Sequence, residues 1–109
     1  MGRFLTSQGT LGITLRDNVT TAYSAVANDR ILANTSGGAF TITLPTSPLV
    51  NDMVQIIDVG GIAATNKITV ARNGQKINGF TEDLTIDLSG SVTSLIYTGA
   101  TWGWVFAAV

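Results

Sequence analysis

Two kinds of residue in this chain have the chemistry to act on something: a few carboxylates and a pair of tryptophans. Paired carboxylates are the machinery of glycoside hydrolysis, so their spacing is the first test. Glu82 and Asp83 are adjacent. On a strand they would point to opposite faces, and in a loop both would be solvated. Asp52 and Asp58 stand at the two ends of one apolar run, ~20 Å apart at strand rise. Asp29, Asp52 and Glu82-Asp83 are candidate calcium ligands in loops, and none sits in a D-x-D-x-D-G loop. The chain has no histidine and no cysteine. That removes the usual general base near neutral pH, the thiol nucleophile and the common zinc ligands. A serine nucleophile would have to rely on Lys67 or Lys76, both in solvent-facing patterns, and no G-x-S-x-G elbow or phosphate loop occurs. The expectation is a protein that is not an enzyme, with no catalytic residue, no metal site and no cofactor.

The tryptophans carry a different chemistry. Trp102 and Trp104 flank Gly103, so in a regular strand both rings share one face, which Phe106 continues. An exposed pair of this kind stacks on sugars; a buried one anchors a core or a subunit interface. Three aromatics in register favour burial. Tyr97, Trp102, Trp104 and Phe106 are therefore expected as core or interface aromatics.

Elements to position these residues are easily found. Phe40, Ile42 and Leu44 alternate with Thr41 and Thr43; Ile68 and Val70 alternate with Lys67 and Thr69; Leu84, Ile86 and Leu88 alternate with Thr85 and Asp87. Period-two alternation with β-branched partners marks half-buried strands. Met53 to Val59 is apolar on both faces, as expected of a strand covered on both sides. Val92–Thr98 and Thr101–Ala107 form a terminal hairpin around Gly99-Ala100. Ser36-Gly37-Gly38, Gly60-Gly61, Asn73-Gly74, Asn78-Gly79 and Ser89-Gly90 supply turns between these runs. No stretch has a helical period, and Tyr23–Ala33 reads as two strands joined by a turn. The expected fold is all-β, a compact β-sandwich or β-barrel-like domain of short antiparallel strands over residues 22–109. Phe40, Ile42, Val54, Ile56, Ile68 and Val70 are assigned to its core. Residues 1–21 are either an arm that pairs with a neighbouring chain or a first strand of the same subunit. Leu11, Ile13 and Leu15 are the candidate contact residues of that arm.

Composition narrows the partners. Only 12% of the 109 residues are charged, against 45% hydrophobic; soluble domains average about 25% charged. So small a domain has much surface per residue, and the deficit points to surface covered by sister subunits or a larger assembly. Six basic residues, scattered, make no stripe for phosphates, so nucleic acid is not an expected partner. No apolar run approaches the ~18 residues of a membrane helix, and the N-terminus does not read as a secretory signal.

One further pattern lies in the order of the phrases. Asn34-Thr35-Ser36-Gly37-Gly38-Ala39-Phe40-Thr41-Ile42-Thr43-Leu44-Pro45 is followed by Asn51-Asp52, by Ala64 to Gly74, by Lys76-Ile77-Asn78-Gly79, and by Tyr97 with Trp102. This series resembles a small β module of bacteriophage particles, found in capsid decoration (cement) proteins and in tail fibres. The resemblance implies a homotrimer. With so short a chain, it implies a decoration protein on the outer capsid surface, bridging subunits of the major capsid protein. The alternative is a tail-fibre module contacting host glycans through Tyr97, Trp102 or Trp104.

Overall fold

The computed structural model describes residues 12–107. All regular structure within them is β: β1 (Thr14–Val19), β2 (Tyr23–Ser24), β3 (Asp29–Ala33), β4 (Phe40–Thr43), β5 (Met53–Asp58), β6 (Ile68–Ala71), β7 (Leu84–Ile86), β8 (Val92–Tyr97) and β9 (Trp104–Phe106). They form a five-stranded sheet in the order β9-β8-β5-β3-β1 and a four-stranded sheet in the order β2-β4-β6-β7.

Strand direction departs from the all-antiparallel expectation. β1, β3 and β5 are mutually parallel, as are β2, β4 and β6. The chain alternates between sheets, β1 to β2 to β3 and onward to β6, so each return lays a strand beside its predecessor in the same direction. Parallel neighbours need a crossover of a dozen or more residues, usually a helix. Here the crossover is a strand of the other sheet. Only the last third reverses: β7 runs antiparallel to β6, β8 to β5 and β9 to β8. Tyr23 and Ala33 accordingly end up in different sheets rather than in one hairpin.

The two sheets share one core. Ile31, Val54, Ile56, Leu95 and Trp104 from the larger sheet meet Ile42, Ile68, Val70 and Ile86 from the smaller. Of the residues assigned to the core by alternation, all are fully buried except Phe40, which packs half-buried against it.

The corners are held by amides and carboxylates. Thr35 Oγ1 donates to the Asn66 carbonyl at 2.8 Å, and Asn66 Nδ2 returns a bond to the Thr35 carbonyl at 2.7 Å. Asn34 Nδ2 reaches Asn18 Oδ1, and Asn73 Nδ2 reaches both the Leu44 carbonyl and Thr46 Oγ1. Each bond joins the corner of one coil to the corner of the next. Asp58 is buried at the end of β5. Its carboxylate accepts from the backbone N–H groups of Gly61, Ala63 and Gly90, tying the parallel coils to the β7–β8 crossover.

One glycine is fixed by geometry. Gly103 has φ +72°, and a Cβ there would collide with the Lys76 carbonyl, which accepts the Trp104 N–H. Gly103→Ala should therefore cost about 3 kcal/mol or more in denaturant unfolding. Gly37→Ala, where a Cβ meets nothing within 4 Å, should shift stability by less than about 0.5 kcal/mol. Equal effects at the two positions would contradict this geometry.

Candidate functional site

The aromatic stripe does not exist as a stripe. Gly103 takes the left-handed conformation just before β9 begins, and this breaks the alternation between Trp102 and Trp104. Trp104 is fully buried and packs on Tyr97, with ring centroids 5.4 Å apart and planes tilted by 59°. The Tyr97 hydroxyl donates to Gln75 Oε1 at 2.7 Å. Trp102 lies in the turn and is 61% exposed; Phe106, at the end of edge strand β9, is also exposed. The four residues therefore divide into a core pair and two surface rings.

Of the candidate arm residues, Leu11 lies outside the described residues. Ile13 and Leu15 are exposed. The strand carrying Leu15, β1, pairs with β3 of its own chain and forms one edge of the five-stranded sheet.

The carboxylates do not converge. Asp52 caps a turn by accepting the Leu49 N–H, Asp58 holds its corner, and Asp83 accepts the Arg72 N–H. Among the described residues no group of three potential metal ligands comes together.

Asp29 accepts three hydrogen bonds, as many as Asp58, and the sequence offers it only as one of several calcium-ligand candidates. It is fully buried at the start of β3. It accepts from Arg16 Nε at 2.7 Å, from the Tyr23 hydroxyl at 2.8 Å and from the Val26 N–H at 2.9 Å. One carboxylate thus gathers β1, β2 and the turn before β3. Burial, and then the hydrogen bond to Asp29, raises the Tyr23 phenol above its ordinary range. The hydrogen bond and charge of Asp29 raise the Arg16 guanidinium likewise.

The most distinctive surface is the outer face of the five-stranded sheet. The registers place Leu15, Arg30, Gln55 and Ser94 in one outward row. Leu32, Ile57 and Val92 form the row on one side, and Met53, Ile96 and Val105 the row on the other. Arg30 Nε donates to Gln55 Oε1, and Gln55 Nε2 donates to Ser94 Oγ at 2.9 Å. The polar row is therefore bonded along the sheet, between two apolar rows. Within these rows Gln55, Met53 and Ser94 are buried, at 6%, 8% and 7% exposure. The doubly apolar run from Met53 to Val59 was the sequence signal for it; the cross-strand partners from β3, β8 and β9 were not visible without the registers.

No protein-family profile matches the chain, and no curated protein matches it either.

Two measurements test the Asp29 cluster. Asp29→Ala orphans the Tyr23 hydroxyl and the Val26 N–H, and should cost on the order of 3 kcal/mol. The Arg16 pair adds little to this, because its side chain is 37% exposed and stays solvated. A phenol whose pKa is raised on folding contributes stability that is present below the ordinary phenol range. That contribution is lost as pH climbs through the raised value. With Tyr97→Phe as background, ultraviolet titration should show Tyr23 ionising later than free tyrosine. Asp29→Asn should bring it only part of the way back, since burial is the larger cause.

Proposed function

We propose that this protein is a structural subunit of a bacteriophage particle that assembles with copies of itself, most specifically a capsid decoration protein that bridges coat subunits. The observation that carries the reading is the outer face of the five-stranded sheet. It is broad, apolar on both sides of a central polar row, and nearly free of charge. Desolvating a polar group costs little when its hydrogen bonds are already made within the face, so this surface is suited to burial. It also gives a location to the low overall charge of the chain. The phrase order shared with phage decoration and tail-fibre modules supports the particle assignment and the trimer, with the two sheets packed as a sandwich-like unit.

In this reading the work is mechanical. Each subunit buries its outer face against a sister, and the trimer holds several coat subunits at once. Several modest contacts made together give attachment far tighter than any one of them. Ile13, exposed just before β1, is available for the coat contact, while Leu15 belongs to the outer-face row.

Native mass measurement should return a trimer of the 11.4 kDa chain. Ile96→Asp, which puts a charge in the outer face, should loosen association by roughly thirtyfold or more. Leu49→Asp, on an exposed loop outside that face, should leave it intact. A monomeric wild-type chain, or an Ile96→Asp variant that still assembles, would falsify the interface. Capsid placement is checked separately by protein counting in purified particles: many copies per particle are expected, and a handful rules it out.

A further inference from the structure

The turn at Ile77–Phe80 and the loop at Gly99–Gly103 meet at one end of the molecule, and together they expose two aromatic rings. Phe80, next in the chain to the Gly79 over which the Trp102 ring lies, is 66% exposed, and Trp102 is 61% exposed. Exposed apolar side chains are ordinary when scattered, but a supported cluster calls for an account. This cluster is held firmly. Ile77 and Phe80 exchange backbone hydrogen bonds across Asn78-Gly79, both of positive φ, which closes a tight turn. The Gly79 N–H donates to the Trp102 carbonyl at 2.8 Å, the Asn78 N–H to the Trp104 carbonyl at 2.7 Å, and the Trp104 N–H to the Lys76 carbonyl at 2.8 Å. The Trp102 ring lies directly over Gly79, where a Cβ would come within 2.9 Å of its Cε3 atom. The ring is thus propped in solvent on a bare stretch of backbone.

The two neighbours of Gly79 in the chain, Asn78 and Phe80, border a shallow cleft of about 160 Å³ that Glu82 and Asp83 also line. Asn78 Oδ1 accepts the Phe106 N–H and Asp83 Oδ1 accepts the Arg72 N–H, so both side chains are oriented. The Asn78 amide N–H₂ and the Glu82 carboxylate make no hydrogen bond among the described residues.

We propose that this loop cluster is a carbohydrate-binding site for a neutral pyranose glycan, with Trp102 and Phe80 as stacking rings and Asn78, Glu82 and Asp83 as hydroxyl-binding groups. A pyranose presents a flat C–H face and a rim of hydroxyls that both donate and accept. The cluster offers the matching halves: exposed ring faces, an amide donor and carboxylate acceptors. Two carboxylates at the cleft repel sialic and uronic acids, which selects neutral sugars. The rings are flanked by polar side chains, unlike the continuous apolar rows of the outer sheet face, and this favours a sugar over a protein partner. Because the Trp102 ring is already seated on Gly79, little ordering cost remains on binding.

The full chain should be titrated with chitotriose, maltotriose, lactose and sialyllactose, following tryptophan emission and saturation-transfer NMR. Trp104 is buried, so any change in emission reports on Trp102. At least one neutral sugar should bind saturably at millimolar strength or better, with sialyllactose weaker. Trp102→Ala should weaken that binding at least about tenfold, and Glu82→Gln or Phe80→Ala should weaken it measurably. Leu49→Ala, an exposed apolar residue outside the cluster, should leave it unchanged. The proposal is overturned if no neutral sugar in the panel binds saturably, if Trp102→Ala binds as well as the wild type, or if sialyllactose binds best. A Trp102→Ala variant whose oligomeric mass changes while sugar affinity does not would assign the rings to a second copy instead.

Discussion

Parallel strands need long crossovers, and this chain builds its crossovers out of the opposite sheet. Every other feature of the fold answers to that constraint. Each coil must turn two corners beside the core, where backbone groups leave the sheet ladders and still require partners. The partners are side chains of neighbouring coils: the reciprocal Thr35–Asn66 pair, the Asn18–Asn34 contact, and Asn73 reaching back to Leu44 and Thr46. Where a corner is deepest, a carboxylate takes over. Asp29 gathers three donors at the start of the second coil, and Asp58 gathers three at the end of β5. A buried carboxylate with three donors can remain in the core; stripped of them it would be a large penalty.

This constraint also explains which parts of the structure are readable from residue order. Alternation along a strand reports only which side faces the core, so Ile42, Ile68 and Val70 were identifiable as core. Parallel and antiparallel neighbours alternate identically, and direction was therefore hidden. Turn dipeptides mislead in the same way. Ser89-Gly90 does mark a turn, but β7 and β8 belong to different sheets, so the turn crosses the core instead of closing a hairpin. The shared face expected of Trp102 and Trp104 is lost for a narrower reason. Strand alternation requires Gly103 to be a strand residue, while its positive φ and its contact with the Lys76 carbonyl place the strand boundary after it. Phe80 carries no pattern at all, since only the tertiary contact of Gly79 with Trp102 brings both loops to one end.

The acids show the converse. Their spacing argued against a hydrolase pair, and among the described residues each of Asp29, Asp52, Asp58 and Asp83 accepts a backbone N–H. Such carboxylates are organised to hold loops, Asp83 through its Oδ1 alone. Glu82, like Asp17 and Asp87, makes no hydrogen bond or ion pair among the described residues.

The β8–β9 hairpin links the two surfaces that matter most. Its inner side plants Tyr97 and Trp104 in the core, its outer side contributes Ile96 and Val105 to the apolar sheet face, and its tip carries Trp102. Burying Trp104 therefore fixes the orientation of the outer face and of the exposed ring together. In an assembly formed through that face, symmetry would repeat the ring cluster once per subunit at a fixed spacing. Weak single-site sugar contacts then act jointly, and the gain depends on whether the spacing matches the glycan surface. A rigid hairpin makes that spacing a property of the fold rather than of a flexible loop.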